Sequence, residues 1–420
     1  MENKNVPSIR FKGFIDDWEQ RKLGEILQII DGDRGKNYPS SDDFLELGHT
    51  LFLSASNVTK RGFKFVNNQY ISEEKSNSMG NGKVKMNDII LTSRGSIGNL
   101  ALYNSDSGNK FKFLRINSGM LILRPDKFTQ SSFILQSLNS QSGEKQIKLI
   151  SFGSAQPQLT KKDVSNFQIQ IPSAGEQIKI GDFFKQLDET ITLHHRELEL
   201  LKLTKKSFLQ QLFPDSQQIS PNIRFANYHE DWEQRKLGEV VKRVTRKNKN
   251  LESKRALTIS AQYGLVDQQE YFKKQIASRD ISNYYLVKNG EFAYNKSYSN
   301  GYPWGAIKRL DYYKNGVLST LYIIFTPTNI NSDFLVSYYD TTYWYKEISK
   351  RAAEGARNHG LLNIATEDFF ETEIKQPLSK KEQIEIGSFF KDIDEIIMLQ
   401  EKKLGNLIAM KKSFLQKMFI

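Results

Sequence analysis

Residues able to make or break covalent bonds do not assemble into a motif in this chain. An adenine methyltransferase would need an Asn/Asp-Pro-Pro-Tyr/Phe loop to hold the exocyclic amine, and Gly301-Tyr302-Pro303-Trp304 does not supply one. Gly82-Lys83 lacks both the upstream glycine and the following Ser/Thr of a phosphate-binding loop. Pro214-Asp215 with Glu252-Ser253-Lys254 has the letters of a metal-dependent nuclease, but the pair spans a linker and is frequent by chance. With no cysteine, disulfides, thiolate nucleophiles and Cys-ligated zinc are excluded. His49, His194, His195, His229 and His359 show no metal-ligand spacing, so neither a catalytic residue nor a metal site is assigned.

Loops rich in hydrogen-bond donors are a different matter. Reading base edges needs side chains with directed donors and acceptors, and gripping phosphates needs Lys, Arg, Ser or backbone amides. The stretch Ser93-Arg94-Gly95-Ser96 offers both, with glycine permitting close approach and Arg94 suited to a guanine edge or a phosphate. Lys60 and Arg61 suit phosphate. In the second half the corresponding candidates are Lys296, Ser297, Tyr298, Ser299, Asn300 and Tyr302, followed by Arg357 and Asn358. Each of these residues is equally compatible with a solvated loop.

Charge points the same way. Of the net charge of +12, residues 175–213 (six basic, six acidic) contribute 0 and residues 381–420 (seven basic, six acidic) contribute +1, leaving about +11 elsewhere. Two neutral segments beside basic ones fit a polyanion partner, most simply nucleic acid, although a generic basic surface would read alike. At 38% hydrophobic residues the 420-residue chain can build two or three cores. It has no apolar run of about eighteen residues, and its start, MENKNVPSIR, is not a secretion signal. No membrane association and a reducing cytoplasm are the expectation.

The two neutral segments must position these loops. Ser173–Phe213 carries a heptad seam of Ile180, Phe184, Leu187, Ile191, His194, Leu198, Leu201, Lys205, Phe208 and Leu212. Adding 206 gives Ile386, Phe390, Ile393, Ile397, Gln400, Leu404, Leu407, Lys411, Phe414 and Met418, apolar and polar in the same order. His194 and Gln400 form a polar layer suited to setting register, and Lys205 and Lys411 can pack their stems while the ammonium groups reach water or a partner. Both helices open with a Ser-x-x-Glu capping box, Ser173/Glu176 and Ser379/Glu382. Each is a rod on the order of 60 Å. With a folded block between them, an antiparallel coiled coil is expected; two amphipathic helices packed separately are the alternative.

A second repeat completes the plan. Pro7-Ser-Ile-Arg10-Phe11 and Asp17-Trp18-Glu19-Gln20-Arg21-Lys22-Leu23-Gly24-Glu25 recur as Pro221-Asn-Ile-Arg224-Phe225 and Asp231-Trp232-Glu233-Gln234-Arg235-Lys236-Leu237-Gly238-Glu239, at an offset of 214. The middles alternate strands (Leu51–Ala55, Ile89–Leu91, Gly119–Pro125; Leu257–Ala261, the turn and strand within Val287–Tyr294, Leu321–Phe325) with one helix each, Ser131–Lys148 and Tyr338–Lys350. The class is α+β: two similar domains with a pseudo-two-fold repeat.

These duplicated motifs, with helices beginning Glu-Gln-x-x-Ile-x-x-Phe-Phe-x-x-Leu/Ile-Asp (Glu176 to Asp188, Glu382 to Asp394), resemble the specificity subunit of type I restriction-modification systems over the whole chain. The resemblance implies a first target-recognition domain over 1–170, spacer helices over 171–214 and 376–420, and a second recognition domain over 215–375. It implies that each domain reads one half of a bipartite double-stranded DNA site. It also implies that the helices dock two modification subunits, and that the chain holds no cofactor of its own. S-adenosylmethionine, ATP and Mg would then sit on the modification and restriction subunits. The close Gly153-Ser154-Ala155-Gln156-Pro157 matches the family pattern, adding Ser154 and Gln156 to the DNA-binding candidates, whereas Asn358-His359 departs from it in the second domain. Two other classes stay open: an enzyme that itself modifies and cuts, and a coiled-coil protein that bridges DNA without sequence preference.

Overall fold

The computed structural model describes residues 6–151, 157–215, 217–260, 263–274, 277–278, 280–297, 301–352 and 362–420. The chain divides into two compact units, Met1–His195 with Lys402–Ile420, and Arg196–Glu401.

In the first unit four antiparallel strands lie in the order Leu27–Asp31, Met120–Pro125, Ile89–Thr92, Leu100–Leu102. Alternate side chains of a strand leave opposite faces. Ile89, Leu91, Leu121 and Leu123 therefore enter a core with Trp18, Phe133 and Phe184, while Ile90, Met120 and Ile122 enter another with Leu51, Leu53 and Ile116. A strand covered on both faces has no solvent side, which is why Met120-Leu-Ile-Leu123 is uninterruptedly apolar. A smaller layer covers one face, with Thr50–Leu53 between Tyr70–Ile71 and Leu114–Ile116.

The second unit repeats this order with Val241–Val244, Ile323–Pro327, Phe292–Asn295 and Ala306–Arg309. Phe292, Tyr294 and Phe325 face one core, Ala293 and Ile324 the other. The opening motif is a strand in both copies: Glu19–Lys22 pairs with Gln168–Ile171, and Glu233–Lys236 with Glu373–Gln376.

The long helices span Ala174–Leu212 and Lys380–Lys417. Every seam position is buried or half-buried. In the first unit the beginning of the first helix runs antiparallel to the end of the second, with Phe183 against Phe414 and Phe184 against Phe419. In the second unit the roles exchange, with Phe208 against Phe389. The ammonium groups of the seam lysines do find partners within their units. Lys411 Nζ lies 2.6 Å from Asp188, and Lys205 Nζ lies 2.7 Å from both Asp394 and Asp340. The Gln400 amide donates to Glu197.

Two sequence expectations need correction. Ser131–Lys148 is two helices, Ser131–Asn139 and Gln141–Ser151, because Ser140 is extended (φ −70°, ψ 168°) and its hydroxyl donates to the Ser137 carbonyl at 2.7 Å. The second copy breaks in the same way, into Ser332–Asp340 and Trp344–Arg351, with the Thr341 hydroxyl on the Tyr338 carbonyl. A side chain that satisfies the last carbonyls ends a helix without glycine or proline.

Neither expected capping box is complete: at Ser173 the backbone carbonyl accepts from Glu176 N at 3.0 Å. The Ser379 hydroxyl accepts from Glu382 N at 3.4 Å, but the glutamates do not turn back to the serines. Glu176 is fully buried and receives Arg10 Nε and Nη2, both at 2.7 Å; Glu382 receives Arg224 Nε at 2.9 Å and Nη2 at 2.8 Å. A bidentate guanidinium satisfies a buried carboxylate better than one backbone amide can.

The next residue, Gln177 or Gln383, staples each helix start to the sheet side of its unit. Its carbonyl accepts from Gln130 N or Asn331 N, and its amide donates to Pro172 or Pro377. The repeated residues Arg10, Glu176 and Gln177, and Arg224, Glu382 and Gln383, thus hold the architecture of each unit.

Candidate nucleic-acid interface

Strand direction decides where the candidate loops gather. In the first unit Asp31, Leu121 and Leu91 stand level, so the chain leaves the sheet at one end after both Asp31 and Thr92 and re-enters it there at Met120. The loop after Thr92 turns tightly: Thr92 Oγ1 donates to the Ser96 carbonyl, and Gly95 (φ 71°) and Gly98 (φ 86°) are left-handed. A non-glycine residue at those angles would be strained.

Arg94 and Ser96 project from this loop exposed. Asn99, at its end, donates Nδ2 to the Val58 carbonyl at 3.0 Å. That bond ties the loop to the two-residue hairpin Val58–Phe63, at whose tip Lys60 and Arg61 are exposed. Sequence reading overlooked Asn99, since an amide after a Gly-rich turn has no signature of its own. The side chains of Lys60, Arg61 and Arg94 have no partner among the described residues. Cations left uncompensated and anchored by backbone bonds are what a phosphate or base contact requires.

Ser93 is a correction. It is 1% exposed, and its hydroxyl has no partner among the described residues, so it faces inward and drops out of the interface. Its carbonyl has a definite use, accepting from Leu159 N at 3.0 Å, which brings the segment after Pro157 against the Arg94 loop. Ser154 and Gln156 lie outside the described residues.

The second unit makes the same bond. Lys296, the first residue after the equivalent strand, accepts from Leu362 N at 3.0 Å. Lys296 is half-buried and its Nζ donates to the Ile364 carbonyl at 3.3 Å, so part of its donor capacity is already used in holding the closing segment. Ser297 donates its backbone N–H to Asn295 Oδ1 at 3.0 Å, and Tyr302 is half-buried. Tyr298, Ser299, Asn300, Arg357 and Asn358 lie outside the described residues.

Charged clusters elsewhere have an architectural role. In the second unit Asp340 stands between Lys205 and Lys308, at 2.7 and 2.8 Å. Burial alone would raise the Asp340 carboxyl, but the two ammonium groups outweigh it and hold Asp340 well below the usual carboxylate range. Asp394, more burdened by burial than helped by Lys205, is raised. Asp215 Oδ1 accepts from Gln217 N and Gln218 N, forming the turn that follows the first long helix. Among the described residues no group of three or more acidic or histidine side chains is arranged to hold a metal ion. Nor is any helix among them long and apolar enough to cross a membrane.

Residues 15–203 match the model of the type I restriction modification DNA specificity domain. Two relatives from Methanocaldococcus jannaschii are each 25% identical: the putative type I restriction enzyme MjaX specificity subunit, over 53% of this chain and 52% of the relative, and the MjaVIII specificity subunit, over 54% and 49%. The chain therefore spans about half the length of the curated relatives it matches. The fold is that of the type I restriction-modification S subunit from M. genitalium, with a TM-score of 0.62 over 99% of both chains at 16% identity. A second structure, from work on complex assembly and conformational transition of a type I restriction-modification system, aligns over 96% of this chain with a TM-score of 0.51. With that domain matched in its first half and the fold matched throughout, the chain is similar to the specificity subunits of type I restriction-modification systems.

Proposed function

We propose that this chain is the non-catalytic, sequence-reading subunit of a type I restriction-modification enzyme. Each unit addresses one half of a split double-stranded DNA site. The paired helices set the separation of the half-sites and dock two modification subunits. Restriction subunits complete the complex, and S-adenosylmethionine, ATP and Mg belong to these partners.

The observation that carries this reading is the duplicated loop hub. Both units place a donor-rich loop at the same end of an identically ordered sheet and fasten the closing segment to it by the same bond, Leu159 N to Ser93 O and Leu362 N to Lys296 O. Duplication of the platform with divergence of the loops is what two half-sites of different sequence require. Leu193, Leu200, Leu203, Ile396 and Leu399 lie outside the seam and are exposed, which supports a helical docking face.

Adenine-methylation sequencing at base resolution tests the proposal, comparing cells that make a modification subunit with and without this chain. Methylation of a split motif only when the chain is present supports it, as does a change in one half-site after exchange of residues 1–170. Unchanged methylation overturns it and leaves DNA bridging without sequence preference.

A further inference from the structure

The loop after the strand Leu27–Asp31, Gly32-Asp33-Arg34-Gly35-Lys36, has no role in the functional assignments above, yet it leaves the sheet at the same end as the Arg94 loop. The turn Asn117–Gly119 lies between the two and touches both. Arg34 Nη2 donates to the Ser118 carbonyl at 3.2 Å, and Arg94 N donates to the Gly119 carbonyl at 3.2 Å. Gly32 allows this closeness, since a Cβ there would stand 2.0 Å from the Asn117 carbonyl oxygen. Arg34 and Arg94 are thus neighbours across one turn, although 60 residues apart in sequence (94 − 34).

The loop is built to be rigid. One oxygen of Asp33 accepts from Gly35 N at 2.7 Å, and the other from Gly80 N at 2.8 Å. Those bonds hold its carboxyl below the usual range. Gly80 itself is held by Arg115, a guanidinium with no exposure that donates to the Ser76 hydroxyl and to the carbonyls of Met79, Gly80 and Asn81. A fully buried arginine spent on loop carbonyls makes sense if the loops must keep one shape.

On this fixed platform Arg34 keeps 47% of its side-chain exposure, and Lys36 is exposed with no partner among the described residues. Asp31 Oδ1 stands 4.0 Å from Arg34 Nη2, at the limit of an ion pair, and the Asp33 carboxylate is engaged by backbone amides.

We infer that Arg34 and Lys36 form a phosphate clamp flanking the Arg94 loop, gripping the backbone of the same duplex whose bases that loop addresses. The inference rests on the DNA-reading function proposed above and adds a division of labour to it: Arg34 and Lys36 hold the strand, and Arg94 discriminates. Backbone contacts carry affinity and register without sequence information, so the two roles separate experimentally.

The test is fluorescence anisotropy of the full chain with a labelled 40-base-pair duplex of arbitrary sequence, titrated across KCl concentrations. Arg34→Gln and Lys36→Gln should each reduce the slope of log Kd against log salt by roughly one, and Arg34→Glu with Lys36→Glu should weaken binding more than tenfold at low salt. Both positions are exposed, and unchanged thermal melting shows that the variants fold.

Unaltered affinity and slope in the double Gln variant, while Lys60→Gln with Arg61→Gln weakens binding, overturns the clamp and leaves the DNA-reading function standing. Failure of the unaltered chain to bind the duplex overturns both. In methylation sequencing, Arg34→Gln should lower occupancy of the same motif, whereas a changed motif would reassign Arg34 to base reading and sink the division of labour.

Discussion

Replacing Arg10 with methionine isolates the energetics of the opening motif. Glu176 is fully buried, and both its oxygens depend on this guanidinium at 2.7 Å. Removing one partner of a buried ion pair costs about 3–5 kcal/mol, because the other charge is stranded. Glu176 lies in the first turn of a 39-residue helix, whose N-terminal dipole returns roughly 1 kcal/mol. The expected loss is therefore about 2–4 kcal/mol, or roughly 30- to 1,000-fold in the opening equilibrium of the first unit. Native-state hydrogen exchange read by mass spectrometry resolves it, through amides of the Glu19–Lys22 and Gln168–Ile171 ladder.

The double variant Arg10→Met with Glu176→Met should regain most of the loss, since two apolar side chains leave no stranded charge. The second unit supplies an internal control. Trp232 Nε1 lies 3.4 Å from Glu382, whereas Trp18 Nε1 has no partner among the described residues. Arg224→Met should therefore cost about 1 kcal/mol less than Arg10→Met. A double variant no more stable than Arg10→Met would refute the stranded-charge explanation.

Gly387→Ala should lower the melting temperature, because its Cβ would stand 2.6 Å from Phe334 N and 2.8 Å from Asp333 C, backbone atoms that cannot turn aside; a loss of about 1–3 kcal/mol is expected. Gly181→Ala should cost less, as its closest clash, at 2.1 Å, is the rotatable Ser132 hydroxyl, and equal losses would contradict that distinction. For Asp340 the folded carboxyl sits below the unfolded one, so its contribution is complete above the ordinary carboxylate pKa of about 3.9 and fades as pH falls through the lower folded value. Urea melts from pH 5 to 2 should show the second unit weakening as pH falls below about 3.9, and Asp340→Asn should flatten this dependence while lowering stability at neutral pH. Arg115→Met strands the carbonyls of Met79, Gly80 and Asn81, so hydrogen exchange across 77–83 should accelerate before the rest of the first unit loosens.

Periodicity and self-similarity made much of the architecture readable from the chain alone. A seam repeated after 206 residues and a motif repeated after 214 specify two copies of one plan, because apolar spacing dictates which face of a helix is buried whatever covers it. The strand at Met120–Pro125 was legible for a similar reason, as a run buried on both faces must be apolar throughout. Exposed donors on glycine turns, such as Arg94, were legible as candidates because turn chemistry is local.

Partners distant in sequence are what only the folded chain decided. Whether Glu176 caps its own helix or binds a guanidinium 166 residues away depends on which donor the fold buries beside it, and no local rule ranks the two. Ser93 and Arg94 are adjacent in the same donor-rich stretch, yet the register of the strand before them turns one inward and the other out. Arg34 lay unremarked between two glycines until the sheet brought it across one turn from Arg94. Sequence specifies which surfaces must be covered, since burial of apolar area is local in origin; tertiary structure chooses which polar groups meet, since satisfying a buried charge or amide depends on neighbours that only chain closure supplies.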